Sequence, residues 1–136
     1  MSELRILHIE DDEDDVMIFN EALLKKCKGY TLQTISHGYE ALIYIQTQDL
    51  KFDIIVLDIN LPGVNGLELL AEIRKKYSAE RMPICILSTA SDQGHMRQCF
   101  KLGANFFFSK PDSFAELENV VRSICNFKNL PSNSNK

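Results

Sequence analysis

Five short apolar or β-branched segments recur along the chain, and longer segments with a helical spacing of apolar residues separate them. The strand-like segments cover residues 5–9, 31–35, 53–57, 84–87 and 105–109. The helical stripes consist of Val16, Phe19, Leu23 and Cys27; of Leu67, Leu70, Ile73 and Tyr77; of Met96, Cys99, Phe100 and Gly103; and of Leu117, Val120, Val121 and Ile124. A weaker helical pattern covers residues 38–48. Strands that alternate regularly with helices predict βαβ units with parallel strands.

This alternation predicts an α/β fold in which a doubly wound, five-stranded parallel sheet carries helices on both faces. Strands 1, 3 and 4 are continuous apolar runs, which is typical of the interior strands of a parallel sheet. The second segment, "TLQTI", instead alternates between apolar and polar residues, so we expect it at an edge.

Composition and charge narrow the class of protein. The chain has 136 residues, of which 45% are hydrophobic and 25% charged, and this suits one globular domain. We expect that domain over residues 1–128 and a disordered polar tail over 129–136. The net charge of −4 argues against binding to DNA or to an anionic membrane. Without a signal peptide or an apolar run near the ~20 residues of a membrane helix, we expect a cytoplasmic protein.

The four cysteines are spread along the chain. No CxxC pair or histidine at metal spacing accompanies Cys27, Cys85, Cys99 and Cys125, so the sequence indicates neither a zinc site nor a disulfide framework. We expect small core residues in a reducing compartment.

Polar side chains with useful chemistry follow the ends of four predicted strands. In an open parallel sheet, ligands bind outside the carboxyl ends of the strands. The residues at these ends are Glu10, Asp11 and Asp12 after strand 1, Asp58 after strand 3, Ser88 and Thr89 after strand 4, and Lys110 after strand 5. Each has an ordinary interpretation as a turn residue, a helix cap or a solvated side chain. Their joint placement at one edge favours a common site.

The residue types of this site suit a particular chemistry. Asp11 and Asp58 on neighbouring strands repel each other unless a cation lies between them. A Mg²⁺ ion would remove that repulsion, and its usual ligands are one or two carboxylates, water molecules and a phosphate. A backbone carbonyl of the loop "INLPG" could add a further ligand. Lys110 offers a compact positive charge and Ser88 a hydroxyl. The set predicts phosphoryl transfer to a carboxylate.

Four motifs resemble the receiver domain of bacterial two-component response regulators. They are "IEDD", "VLDINLPGVNGLELL", "PICILSTA" and "GANFFFSKP", and the resemblance extends from Arg5 to about Phe127. It implies the flavodoxin-like strand order 2-1-3-4-5. It also implies that Asp58 is the phosphoacceptor and that the donor is a phosphohistidine on a sensor histidine kinase or a phosphotransfer protein.

The resemblance assigns roles to the other site residues. Asp11 becomes a direct Mg²⁺ ligand, Glu10 acts through water, and Asn60 gives its backbone carbonyl. The phosphate-pairing lysine is Lys110, the switch hydroxyl is Ser88 and the switch aromatic is Phe107. The Lys110–Pro111 bond is implied to be cis.

In the acidic run that follows strand 1, function is expected of Glu10 and Asp11 alone. Asp12 has no fixed role, and residues 13–15 are expected to form the acidic first turn of helix 1. Because Thr89 is bulky and Ala90 has no acid or amide, self-dephosphorylation is expected to be moderate to slow.

The resemblance is to stand-alone regulators, and "IEDDEDD" with "LST" resembles those associated with phytochrome-type kinases. Output is then implied at the face formed by helix 4, strand 5 and helix 5, which binds a downstream protein or a second copy of the chain. Two alternatives stay open. One is a degenerate receiver that acts as a protein-interaction scaffold. The other is a phosphatase of the haloacid-dehalogenase type, although Asn60 stands where that family has an aspartate and the length leaves no room for a cap domain.

Overall fold

Five strands alternate with five α-helices in the computed structural model of the chain, which describes residues 3–89 and 93–129. The strands are β1 Leu4–Ile9, β2 Tyr30–Ile35, β3 Ile54–Leu57, β4 Ile84–Ser88 and β5 Phe106–Ser109. The helices are α1 Glu13–Lys26, α2 Gly38–Thr47, α3 Gly66–Lys76, α4 Gln93–Lys101 and α5 Phe114–Cys125, and a 3₁₀ helix follows at Phe127–Asn129. Each predicted strand lies within one residue of the observed one at both ends.

The sheet is wholly parallel and has the order β2-β1-β3-β4-β5, so the predicted fold class and strand order are confirmed. β2 lies at an edge, as its polar alternation predicted, and β5 forms the other edge. Every residue of β3 and β4 is buried, which agrees with their uninterrupted apolar runs.

Alternate residues along the strands point to opposite faces of the sheet and build two apolar layers. On one face, Leu7 and Ile9 pack with the buried residues of α2, α3 and α4. On the other, Ile6 packs with buried residues of α1 and α5, among them Phe19 and Val121. The helical stripes therefore mark the buried faces, and the helices lie on both sides of the sheet as predicted.

Polar caps begin three of the helices. The side chains of Asp12, Asn65 and Ser113 accept hydrogen bonds from the backbone N–H groups of Asp15, Glu68 and Glu116. Asp12, which had no predicted role, is thus the N-cap of α1. The three acidic residues that follow it form the first turn of α1, as expected, where the helix dipole favours negative charge.

The cysteines only partly follow the sequence expectation. Cys85 and Cys99 are free and buried, as predicted. Cys27 and Cys125 are joined in a disulfide with their Cα atoms 5.8 Å apart, so the expectation of no disulfide is wrong for this pair. The physical reason is that α1 and α5 lie side by side on one face and run in the same direction, which brings their last residues together. A sequence separation of 98 residues conceals this proximity.

The implied cis peptide is also wrong for this structure. No cis bond occurs among the described residues, so Lys110–Pro111 is trans, the isomer that is favoured by about 0.5–1 kcal/mol even before proline. The predicted disordered tail lies outside the described residues except for Asn129, which ends the 3₁₀ helix. Within the described ranges, no helix combines the length and apolar character that a membrane crossing requires.

A polar network that the sequence did not reveal ties α3 to the starts of β4 and β5. Arg74 donates hydrogen bonds to the carbonyl oxygens of Gly103 and Met82 at 2.8 and 2.9 Å, and to Asn105 Oδ1 at 2.8 Å. Burial lowers the pKa of Arg74 to about 10, which still leaves the guanidinium charged at neutral pH. Asn105 Oδ1 also accepts from the Ile84 N–H at 3.0 Å. This network holds the N-terminal end of β4 against that of β5. The predicted site lies at the other end of the strands.

We expect Asn105→Leu to lower the free energy of unfolding by about 2–3 kcal/mol, because the Ile84 N–H and the Arg74 guanidinium lose a buried acceptor. Urea denaturation measures the change. Asn119→Leu makes the same substitution on the exposed side of α5 and should stay within about 0.5 kcal/mol of the parent. Equal losses in both variants would contradict a special role for the network.

Candidate functional site

Hydrogen bonds that continue past the strand ends fix the positions of the site residues. The Asp58 N–H donates to the Ile9 carbonyl at 3.0 Å, and the Lys110 N–H donates to the Ser88 carbonyl at 2.8 Å. The register pairs Ile9 with Leu57 and Ser88 with Ser109. The residues that follow β1, β3 and β5 therefore meet Ser88 at one edge of the sheet.

Three carboxylates converge at this edge. Glu10, Asp11 and Asp58 each place one oxygen within 4.8 Å of the others. Glu10 is 1% exposed and Asp58 3% exposed, so water screens neither charge well. Such a set of oxygen ligands, partly buried and close together, fits a hard divalent cation.

The ammonium group of Lys110 neutralises part of this charge. Its Nζ lies 2.7 Å from Glu10 Oε1, 2.8 Å from Asp15 Oδ2 and 3.5 Å from Asp58 Oδ2. Burial alone would lower the pKa of Lys110, but the hydrogen bonds to Asp15 and Glu10 and the charge of Asp58 outweigh it, so the pKa lies above its usual value. Lys110 therefore keeps its positive charge.

For Glu10, the effect of burial outweighs that of the ion pair. Burial and the neighbouring charge of Asp58 raise the pKa of Glu10, Lys110 lowers it, and the resulting pKa is about 8. A cation bound among these oxygens favours the ionised form of the carboxyl. Glu10 therefore ionises more readily when a cation binds beside it.

Asp15 is a site residue that the sequence analysis missed. It was assigned to the acidic first turn of α1, where it does lie, but its carboxylate also binds Lys110. The two residues are 95 positions apart, and no sequence pattern connects them. Asp15 therefore joins the start of α1 to the loop between β5 and α5.

His8 lies under the cluster in β1 and was not predicted either. Its ring lies 4.2 Å from the ring of Phe19 between centroids, and the side chain is 1% exposed. Burial, together with the charge of Lys110, lowers the pKa of His8 to about 3. The imidazole is therefore neutral and packs as part of the core.

The loop after β3 holds the Asp58 side chain. Asp58 Oδ1 accepts a hydrogen bond from the Asn60 N–H at 3.1 Å, and Asn60 Nδ2 donates to Thr89 Oγ1 at 2.9 Å. The loop turns back closely on itself, because a Cβ at Gly66 would lie 2.6 Å from the Asp58 carbonyl oxygen. Glycine is the one residue that permits this approach at the start of α3.

The two residues that the resemblance named as a switch occupy neighbouring strands. Ser88 is fully buried at the end of β4. Phe107 is half-buried in β5, and its ring meets the ring of His95 in α4 edge to face with the centroids 6.0 Å apart. An aromatic contact thus joins β5 to α4 near the carboxyl edge of the sheet.

A family model described as the response regulator receiver domain matches residues 6–122. The response regulator Rcp1 from Synechocystis sp. is 28% identical over 127 residues, which cover 90% of this chain and 86% of Rcp1. The two-component response regulator ARR15 from Arabidopsis thaliana is 30% identical over 132 residues. That alignment covers 90% of this chain but 63% of ARR15, and ARR7 from the same plant is covered to the same extent.

Solved structures show the same likeness. The phosphorylated cyanobacterial phytochrome response regulator RcpA is 28% identical, with a TM-score of 0.82 over 93% of this chain and 94% of RcpA. The Mn²⁺-bound form of Rcp1 is 27% identical, with a TM-score of 0.80 over 92% of this chain and 94% of that structure.

We expect Asp11→Asn to weaken Mn²⁺ or Mg²⁺ binding by at least about tenfold, because it removes a charged oxygen from a set with three carboxylates. Titration calorimetry or the Mn²⁺ electron paramagnetic resonance signal measures the affinity. Asp14→Asn removes the same charge from an exposed position in the first turn of α1 and should bind the ion as the parent does. Unchanged binding in Asp11→Asn would contradict its place in the site.

Proposed function

The chain belongs to the response regulator receiver domain family, and we propose that it accepts a phosphoryl group on Asp58. The observation that carries the proposal is the position of the Asp58 carboxylate, which is buried at the carboxyl edge of the sheet beside Glu10 and Asp11, with Lys110 Nζ 3.5 Å away. A nucleophilic carboxylate needs positive charge nearby to receive a phosphoryl group. Lys110 supplies such a charge here, and the carboxylates can hold a metal ion.

In the proposed reaction, a carboxylate oxygen of Asp58 attacks the phosphorus of a phosphohistidine. The new O–P bond forms as the N–P bond breaks, and the imidazole leaves with the electron pair. The Asn60 N–H holds Asp58 Oδ1 in place, while Lys110 lies close enough to pair with an oxygen of the transferred group. Ser88 donates its hydroxyl to another phosphoryl oxygen. These residues act by positioning and by charge neutralisation.

We propose Mg²⁺ as the resident cation. Asp11 and Asp58 would bind it directly, Glu10 through a water molecule and Asn60 through its backbone carbonyl. When bound, Mg²⁺ neutralises the charge that the carboxylates share with the phosphoryl oxygens. Supporting this, the three carboxylates have the spacing of a metal site, and the similar protein Rcp1 has been solved with Mn²⁺.

We propose a sensor histidine kinase or a phosphotransfer protein as the donor, and the likeness to RcpA favours a phytochrome-type kinase. The output surface is the face formed by α4, β5 and α5, where a downstream protein or a second copy of the chain binds. The ring contact between Phe107 and His95 supports this, because it links β5 to α4. We place the protein in the cytoplasm, with self-phosphorylation and slow self-dephosphorylation as its only reactions.

Incubation with acetyl phosphate and Mg²⁺ should add one phosphoryl group to the parent chain and none to Asp58→Asn. Intact-protein mass spectrometry measures the adduct. Asp49→Asn, the same change in an exposed loop, should be modified like the parent, and chelation of Mg²⁺ should abolish modification of both. An adduct on Asp58→Asn would disprove the assignment. No adduct on the parent would favour a scaffold, and turnover of phosphate esters would favour a phosphatase.

We expect the phosphorylated chain to lose its phosphate slowly, because Ala90, which lies outside the described residues, has no acid or amide to assist water. The Asn60–Thr89 hydrogen bond also joins the loop that carries Asp58 to the residue that follows β4. Removing it with Thr89→Ala should speed the loss several-fold, as followed by intact mass after acetyl phosphate is removed. Thr31→Ala, on exposed β2, should decay like the parent. Rapid decay of the parent would contradict the expectation.

A further inference from the structure

The helices α1 and α5 are linked to each other at both ends. At their N-terminal ends, Asp15 of α1 binds Lys110, which precedes α5. At their C-terminal ends, the disulfide joins Cys27, which caps α1, to Cys125, the last residue of α5. Between these ends the two helices share the apolar layer on their face of the sheet. Two different chemical links therefore join the same two helices.

The Cys27–Cys125 pair keeps part of its surface exposed to solvent, whereas the other two cysteines do not. Cys27 and Cys125 are half-buried, while Cys85 and Cys99 have no exposed surface. Burial also raises the pKa of the Cys85 and Cys99 thiols, which keeps them protonated and unreactive. Oxidation would thus be selective for one pair.

The positions of the two cysteines in the fold favour formation of the bond. Cys27 caps the C-terminus of α1, and Cys125 is the last residue of α5. The Cα distance of 5.8 Å lies within the range that a disulfide spans without movement of the backbone. The folded chain therefore holds two thiols ready to join.

We propose that Cys27 and Cys125 form a reversible redox site, independent of Asp58, that takes small-molecule disulfides of the glutathione class as its oxidant. Disulfides of proteins in reducing compartments, such as the cytoplasm in which we place this protein, are in most cases transient or redox-sensing, which fits a half-buried pair better than a permanent staple.

The exchange proceeds in two balanced steps. One cysteine thiolate attacks a sulfur of oxidised glutathione, forms a mixed disulfide and releases one glutathione thiolate. The second cysteine thiolate then attacks the cysteine sulfur of the mixed disulfide, forms the Cys27–Cys125 bond and releases the second glutathione. The protein loses two electrons and two protons, and the glutathione disulfide is reduced to two thiols.

The bond has a physical consequence for the receiver fold. It closes a loop across 98 residues and so restricts the unfolded chain over most of its length. In the folded state it holds the end of α5 against α1. Oxidation should therefore stabilise the helix pair and reduce the local opening of α5.

The full chain is prepared reduced and after equilibration with oxidised glutathione, then denatured for thiol titration. We expect all 4 cysteines to react in the reduced chain, and Cys85 and Cys99 alone in the oxidised one. Non-reducing peptide mapping should link the peptides of Cys27 and Cys125. The oxidised chain should melt about 10 °C higher, and reduced glutathione should reverse the change.

Matched variants assign the effect to the pair. Cys27→Ser and Cys125→Ser should each lose the difference in melting temperature between the two redox states, whereas Cys99→Ser should keep it. Each variant is compared with itself, so a general loss of stability does not affect the result. Full reactivity of all thiols after oxidation, a link to Cys85 or Cys99, equal melting temperatures, or a bond that resists reduced glutathione would each overturn the proposal.

Discussion

The receiver fold places acidic side chains close together where water screens their charges poorly. The ammonium group of Lys110 offsets the resulting repulsion. Parallel pairing of β1 with β3 obliges Glu10 and Asp58 to share one edge, and both are almost fully buried. Lys110 reaches both of them and Asp15 from the end of β5. A phosphoryl group on Asp58 would therefore enter a site where Lys110 already contacts three carboxylates.

The sequence predicted the fold well because the relevant signals are local. A buried parallel strand is a short apolar run, and its helix carries an apolar stripe, so each element can be recognised alone. The carboxyl-edge rule then placed Glu10, Asp58, Ser88 and Lys110 at one edge without any knowledge of their contacts. The rule works because backbone pairing, not side-chain chemistry, decides where strands end.

Side-chain partnerships were harder to predict, because they depend on how distant elements pack. Asp15 with Lys110, Cys27 with Cys125 and Arg74 with Asn105 are separated by 95, 98 and 31 positions. Each residue of these pairs also has an ordinary interpretation on its own. An acid in a first helical turn, a lysine or arginine at the surface, a cysteine in the core and an asparagine in a turn are all common. Nothing in their sequence neighbourhoods outweighs that interpretation. Family resemblance does not remove the difficulty, since the cis proline that it implied is trans here.

Two sets of side-chain contacts lie beside the site. On one side, Asn60 contacts Thr89 after β4, and Phe107 of β5 contacts His95 of α4. On the other, Lys110 contacts Asp15 and so connects the site to α1 and α5. The thiol pair lies at the opposite ends of these two helices. If phosphorylation draws Lys110 away from Asp15, cohesion of α1 with α5 then depends on their shared apolar layer and on the redox state of the thiols.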